Sequence, residues 1–433
     1  MYLNVFKSEQ CGDYFVYRFT KLEVFTLNKT KTVLLLTVVI SLIFCLSSCN
    51  ANAPYVSALQ IGDVTSADIV PIESPDFSDV IKNVSFIGCG DNIIYAGNIK
   101  DARSKALPGG RQYNFKPMYE NVADIIESAD IAFINQENVM CGEGYEISYY
   151  PMFNSPQELG YDLQELGYDV VNIANNHMLD KGSAGLEKTI EFWKNMDGVL
   201  MIGGYENEED YDNLRILESN GIKIAFLSYT YGTNGLTKSA SSDVVIPYID
   251  DEDIIRQTAN AKQNADVVLV SVHWGYEGAF TPNSEQKRVA KLFADCGVDA
   301  IIGHHPHVLQ PVEWIEGKDG NRTLCVYSLG NFMAEQAYDY NMVGGIISFD
   351  IVQIADAEPY IDNVLFTPTV FHFPSNFYNN TIYLMEDYTP ELAAVHGVRT
   401  FYKHTLTYDR LIEYATDTID EQFLPEFLRG DSK

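Results

Sequence analysis

The chain reads as a series of continuous apolar runs, each ending in a short polar motif. VSFIGCGD ends at Asp91, DIAFINQE at Glu137, VVNIANNH at His177, VVLVSVH at His273, and DAIIGHHPH at His304, His305 and His307. A further run, VYSLGNF, ends beyond Asn331. Unbroken Val/Ile runs are the mark of parallel strands buried on both faces, since a strand with one wet face would alternate. Between them, residues 118–130, 155–167, 184–196 and 284–297 carry helical spacing. Ser155 with Glu158 predicts a capping-box start with Pro156 at the first helical position, and Ser284 predicts the cap of the later helix. Gly167-Tyr168-Asp169 and Gly297-Val298-Asp299 predict helix stops. Strand-like and helix-like runs in alternation predict an α/β fold. Past Asn331 the period becomes two: GGIISFDIVQI (344–354) and IDNVLFTPTVFHF (361–373) predict an antiparallel hairpin closing a sheet. Residues 388–433 predict acidic helices with Tyr and Phe on one face.

Composition narrows this picture in two ways. The 433 residues suffice for one large α/β domain with additions, and a net charge of −31 argues against nucleic acid as partner and against adhesion to anionic lipid by bulk charge. An anionic substrate would need metal ions or a local Arg/Lys cluster. At the N-terminus, Lys29 and Lys31 precede an apolar stretch from Val33 to Leu46, followed by Ser47-Ser48-Cys49. A basic segment, an apolar segment of this length and small residues before the cut predict export, with residues 1–48 as a signal segment. Leu46-Ser47-Ser48-Cys49 resembles the bacterial lipobox, which makes Cys49 the lipidated residue; a plain signal peptide or a single anchor is the alternative. The polar preface 1–28 is unusual for a signal segment and fits a start codon nearer Leu27. Residues 49–80, small and acidic with scattered Pro, predict a tether, 81–380 the main domain, and 381–433 a helical extension packed on it. Cys89, Cys141, Cys296 and Cys325 show neither zinc-knuckle nor disulfide-scaffold spacing and are expected to be free.

The candidate chemistry sits at the strand ends, where α/β proteins build their sites. Five of only eight histidines fall there. Asp91, after Gly88-Cys89-Gly90, suits a cation or serves as a turn or helix cap. Asn135 and Glu137 share one side if the strand continues. Asn176 and His177 suit metal ligation with proton transfer, while Asp180 either orients His177 or caps the next helix, the latter being the commoner role. His273, Trp274 and Glu277 offer an imidazole, an aromatic wall and a carboxylate. His305 and His307, two apart on a Pro-stiffened turn, face two cations or clamp one, with His304 pointing elsewhere. Asn331 stands at a turn able to donate to a substrate oxygen or to do no chemistry.

At these residues the chain resembles the poly-gamma-glutamate capsule-synthesis family of the CapA type. The motifs run in order: Gly90-Asp91, Asn135–Glu137, Ala174–Gly182 (ANNHMLDKG), His273–Glu277 (HWGYE), Gly303–Gln310 (GHHPHVLQ) and Ser328–Phe332 (SLGNF). The resemblance implies a metallophosphoesterase-like, calcineurin-related two-sheet sandwich flanked by helices. It implies metal ligation by Asp91, Glu137, Asn176, His273, His305 and His307, with one or two divalent ions (Mn, Fe or Zn), and His177 as proton donor. Phosphoesterases of that class open with Asp-x-His, whereas Asp91 is followed here by Asn92 and Ile93. Beside these, Asn135, Trp274, Glu277, His304 and Asn331 are expected to contact substrate.

The expectation is a lipoprotein on the outer face of the bacterial cytoplasmic membrane. It would act in synthesis, export or trimming of a surface polymer such as poly-gamma-glutamate, by metal-dependent hydrolysis or transfer at a phosphate, ester or amide. Partners would be the anionic polymer or a small phosphoester or amide substrate, with membrane synthase subunits. The alternative is a non-catalytic tethered accessory subunit of a polymer synthase.

Overall fold

The computed structural model describes residues 8–11, 14–17 and 81–430. The lipobox with Cys49, the apolar stretch Val33–Leu46 and the tether lie outside the described residues. Within a separate unit, residues 1–74, the short strands Ser8–Cys11 and Tyr14–Tyr17 pair antiparallel. No helix among the described residues is long and apolar enough to cross a membrane.

The second unit, residues 75–433, is built on two sheets. The chain enters the first sheet with β1 (Ile81–Asn92), β2 (Ile131–Gln136), β3 (Val170–Asn172) and β4 (Leu200–Ile202). It then lays down the second sheet with β5 (Arg215–Ser219), β6 (Ile222–Thr230), β7 (Val267–His273), β8 (Ala300–His304), β9 (Leu309–Glu316) and β10 (Arg322–Leu329). It returns to the first with β11 (Asn331–Met333), β12 (Val343–Ile354), β13 (Tyr360–His372) and β14 (Thr381–Leu384). The first sheet runs β14-β13-β12-β1-β2-β3-β4 and the second β9-β10-β8-β7-β6-β5. As the apolar runs imply, β1 to β4 are mutually parallel, as are β6, β7, β8 and β10. The expected late hairpin is β12–β13, and it closes the first sheet by pairing antiparallel with β1.

Six helices are the longest of the described residues: α1 (Ala96–Ser104), α2 (Glu158–Glu165), α3 (Gly182–Lys194), α4 (Asp251–Asn264), α5 (Ser284–Asp295) and α6 (Tyr408–Thr416). Leu159 and Leu163 of α2 and Leu186, Ile190 and Trp193 of α3 join a core shared with both sheets, including Phe86, Phe349, Ile302 and Val326. Ile254 of α4 and Val289 and Phe293 of α5 pack with Val268, Val270 and Ile301 in a second core. The layers are therefore helix, sheet, sheet, helix, the two-sheet sandwich flanked by helices that the family resemblance implies. The sheets press closely at β1, where a Cβ on Gly88 would stand 3.7 Å from Ile302 Cγ2 across the interface.

Several local expectations need correction. The helix near Ser155 begins only at Glu158, with no side-chain cap, and the Ser155 amide that a capping box would give to Glu158 donates instead to the Val139 carbonyl at 2.9 Å. The later helix is capped by Asn283, in a box with Gln286, and not by Ser284. The 118–130 stretch yields two 3-10 turns and only Ala123–Ser128 as α-helix. Residues 388–430 form short helical pieces, and the stretch from 381 starts inside the first sheet as β14. The helix stops at Gly167 and Gly297 are present, with φ of 95° and 84°. Cys89, Cys141, Cys296 and Cys325 are free.

Candidate metal centre

All the motif-bearing strand ends meet at one edge of the sandwich, and backbone register decides which side chains face each other. A bulge between Cys89 and Asp91 places Asp91 opposite Asn135 of β2, while β11 takes over from β12 beside β1 so that Asn331 lies opposite Asp91. Gly90 makes this crossing possible: a Cβ there would stand 2.2 Å from the Gly330 carbonyl oxygen. Asp91 is fully buried and heavily partnered. Its Oδ1 accepts from Asn135 Nδ2 at 2.8 Å and lies 3.3 Å from His304 Nδ1; its Oδ2 lies 3.0 Å from His307 Nδ1. Asn135 Oδ1 in turn accepts from Asn172 Nδ2 at 2.8 Å, and Asn172 Oδ1 from the Ser228 hydroxyl of the second sheet. Burial opposes charge on Asp91, yet hydrogen bonds and charge from His304 and His307 hold it well below the usual carboxylate range.

Glu137, immediately after β2, is the opposite case. Both carboxylate oxygens are buried without a hydrogen-bond partner. Its Oε1 lies 3.9 Å from His273 Nε2 and 3.7 Å from His307 Nε2. Burial pushes this carboxyl well above its ordinary range. His273 is held neutral by burial and then by His305, while burial and His307 push His305 down to about 3. For His307 burial works downward, but Glu137 and Asp91 outweigh it and bring the imidazole up to about 9. Asn176 completes the cluster, with Oδ1 2.9 Å from His273 Nε2.

The turn carrying His305 and His307 is strained, with φ of 98° and 55°. Left-handed backbone at non-glycine residues costs about 1–3 kcal/mol each and gathers at functional sites. Two donor sets result: Asp91, Glu137 and His273, and Glu277, His305 and His307, each with ligand atoms within 4.8 Å of one another. Carboxylate oxygens and imidazole nitrogens together suit a first-row divalent cation. The unpaired oxygens of Glu137 are what such a cation would satisfy, so the residues present fit the group.

His177 stands beside this cluster on the loop after β3. Its Nδ1 is 2.8 Å from Asp180 Oδ2, which also accepts from the Phe153 amide, and its ring meets Phe153 edge-on at 4.8 Å. Asp180 therefore orients His177; α3 starts at Gly182 after Lys181, with no side-chain cap.

Four residues expected at the substrate face elsewhere. Trp274 is 2% exposed and sits in the core behind the second sheet, its indole donating to the Tyr327 carbonyl at 2.9 Å. His304 is sealed between the sheets against Phe133, 5.7 Å between rings, and backs Asp91. Asn135 is buried and holds Asp91. Asn331 is buried and donates to the Asn341 carbonyl and to Gln336 at 3.0 Å. Glu277 is exposed at the mouth, within the second donor set. The missing Asp-x-His histidine is Ile93, which packs with Phe153 and Ala334. Tyr231, absent from the sequence expectations, lies 4.6 Å from the His305 ring. It directly follows the apolar run IKIAFLSYT (222–230), whose end carries no acid or imidazole to single it out.

Fold and site thus define an α/β sandwich with a buried carboxylate–imidazole cluster of metal-ligand type at its strand ends. Residues 85–336 match the family model described as "Bacterial capsule synthesis protein PGA_cap", and the chain belongs to that family. It is 34% identical over 192 residues to the Bacillus subtilis "PGA biosynthesis protein CapA", covering 44% of this chain and 48% of the relative. The Bacillus anthracis "Capsule biosynthesis protein CapA" is 34% identical over 197 residues, covering 44% and 46%. A Mycobacterium tuberculosis protein named "Probable polyglutamine synthesis accessory protein" is 24% identical over 241 residues, covering 51% and 59%. The matches to the two Bacillus relatives span about half of their length. Among solved structures, Haemophilus influenzae NAD nucleotidase overlaps with TM-score 0.42 at 13% identity, covering 78% of this chain and 60% of that one. A Thermus thermophilus 5'-nucleotidase precursor overlaps with TM-score 0.41 at 15% identity, covering 77% and 59%. Scores this low carry no argument; the fold rests on the sheet order and layers above.

Proposed function

We propose that this chain is a metal-dependent hydrolase or transferase of the metallophosphoesterase-like class. It works at a phosphate, ester or amide during synthesis, export or trimming of a bacterial surface polymer. The observation that carries this is Glu137, whose two oxygens are buried and unpaired, with Oε1 facing His273 and His307 beside the oriented His177. Asp91, Glu137, Asn176, His273, His305 and His307 would hold one or two divalent cations. When bound, such a cation supplies Lewis acidity, neutralising charge on the reacting group and lowering the pKa of water. Asp180 keeps the His177 Nδ1 side engaged, which leaves Nε2 as the nitrogen to donate a proton to the leaving oxygen or nitrogen. Asn135, Asn172 and Ser228 fix the Asp91 carboxylate, and His304 backs it from the interior.

The family and the relatives' names support a polymer of the poly-glutamate kind, and membrane synthase subunits are the partners this reading expects. Cys49 supports lipid anchoring on the outer face of the cytoplasmic membrane. A tethered accessory subunit without turnover is favoured by one observation, the replacement of the expected histidine by Ile93 in an apolar cluster, and it accords with the name of the Mycobacterium relative. Elemental analysis of the full chain beside a His305→Ala/His307→Ala variant tests the hydrolase reading. Near-stoichiometric Mn, Fe or Zn, lost in the variant, is the expected result; no metal after reconstitution would leave the accessory role in its place. For the anchor, Cys49→Ala should abolish incorporation of a labelled lipid precursor.

A further inference from the structure

The loop after β6, residues 231–236 (YGTNGL), carries none of the proposed ligands but touches three of them. It is tightly built. The Tyr231 amide donates to the His273 carbonyl at 2.9 Å, which ties the loop to the end of β7. The Leu236 amide donates to the Thr233 carbonyl at 2.9 Å, and Asn234 and Gly235 between them have φ of 51° and 75°. Two left-handed residues in succession make a tight turn for which Asn-Gly is a favoured pair. Thr233 anchors it, its hydroxyl donating to the Leu236 carbonyl at 2.7 Å and lying 3.1 Å from the Tyr248 hydroxyl.

This turn presents the Asn234 side chain to Asn176. Asn234 Oδ1 accepts from Asn176 Nδ2 at 3.1 Å, while Asn176 Oδ1 lies 2.9 Å from His273 Nε2. A carboxamide has one oxygen and one NH2, and only the oxygen can serve a cation. An acceptor on the NH2 side therefore decides that Asn176 turns its oxygen into the cluster. Rotated by half a turn, the same side chain would aim N–H bonds at the cation and lose its contact with Asn234.

Tyr231 acts on the imidazoles. Metal-binding histidines are usually oriented by a hydrogen bond at the ring nitrogen that does not ligate. Here Nδ1 of His273 and Nδ1 of His305 are both buried with no partner. The Tyr231 ring instead lies within 8° of parallel to His273, with centroids 6.3 Å apart, and 4.6 Å from His305. His273 and His305 belong to different donor sets, so one phenol ring braces both. We infer that Asn234 and Tyr231 are positioning residues of the metal centre: Asn234 fixes the direction of the Asn176 amide, and Tyr231 the planes of His273 and His305. This rests on reading the cluster as a metal site, as proposed above.

The test is calorimetric titration of the metal-depleted full chain with Mn²⁺ and, separately, with Zn²⁺, beside urea unfolding of the same samples. Asn234→Gly suits the left-handed turn and removes only the acceptor. It should bind metal about ten- to a hundredfold more weakly, with the urea midpoint of the metal-free chain close to the parent's. Asn234→Asp keeps an acceptor oxygen in place and should restore the parent's affinity. Tyr231→Ala should lose about tenfold, whereas Tyr231→Phe, which keeps the ring, should bind as the parent does. Unchanged affinity in Asn234→Gly and in Tyr231→Ala overturns the inference, as does an equal loss in Asn234→Gly and Asn234→Asp. A loss that comes with a fallen urea midpoint marks a merely structural role and overturns it likewise. If the parent chain binds neither metal, the hydrolase reading falls and this inference with it; a parent that binds, with variants that do not differ, sinks the inference alone.

Discussion

The molecule buries two histidine clusters, and they sit in opposite chemistry. At the strand ends, His273, His304, His305 and His307 surround Asp91 and Glu137, and one imidazole is carried up to about 9 by those acids. In the C-terminal part, His372 and His396 meet edge-to-face at 4.9 Å among Phe373, Tyr383 and Tyr388. Burial pushes that pair down, to about 4 and about 3. His372 Nδ1 pairs with the Tyr388 hydroxyl at 2.8 Å and His396 Nε2 donates to the Phe371 carbonyl at 3.0 Å, so the second cluster is a satisfied core. A buried imidazole by itself therefore says little about function. What marks the first cluster is the pair of carboxylates, one over-partnered and one with none.

The largest way to break this contrast is His177→Ala. It should lower turnover by about 10²–10⁴-fold, the usual worth of a positioned proton donor, while metal content and fold stay as they are. Normal complementation in cells would instead favour the accessory role. Glu137→Gln should weaken metal binding about a hundredfold while changing the stability of the metal-free chain by less than about 1 kcal/mol, since the two buried oxygens have no hydrogen-bond partner to lose. Equilibrium dialysis and urea unfolding read the two effects, and a parallel loss of both would sink the contrast. His372→Ala should do the reverse. It leaves metal binding intact and costs about 2–4 kcal/mol of stability through a cavity and an orphaned Tyr388 hydroxyl.

Two smaller tests use pH. His372 and His396 have folded pKa values below the unfolded value of about 6.5, so the unfolded chain binds more protons as pH drops. Their stabilisation is complete above about pH 6.5 and is lost as pH falls toward 4 and then 3, at about 1.4 kcal/mol per pH unit for each. Urea midpoints at pH 7, 5.5 and 4.5 should follow that slope, and His372→Phe should flatten it. Glu335 provides the mirror case. Burial lifts it from 4.5 to about 8, although it accepts from the Gly97 amide at 2.8 Å and from Asn380 at 3.2 Å. Its contribution is fully present below about pH 4.5 and is lost as pH rises toward 8. Glu335→Gln should leave stability near pH 4.5 unchanged and add about 1–2 kcal/mol near pH 8, helped by the otherwise unpaired Asn380 Oδ1.

By itself the sequence determined the strand identities, the parallel core, the closing hairpin and the convergence of motifs, because these follow from local periodicity and from the rule that α/β sites form at strand ends. Asp91, Glu137, Asn176, His273, His305 and His307 were legible for that reason, each lying at or just beyond an apolar run. What the tertiary structure alone decided was direction. Whether Trp274 walls a cleft or fills a core depends on which sheet face it leaves from, and the way His305 and His307 are both turned onto the buried acids depends on a left-handed turn that period-two reasoning does not contain. Asp180 was ambiguous for the same kind of reason: cap and orienter differ only in where its carboxylate turns, and Phe153 and His177 fix that. That the Asn234 turn meets the Asn176 amide lay beyond sequence reasoning altogether, since nothing in an Asn-Gly turn says which buried side chain it will face.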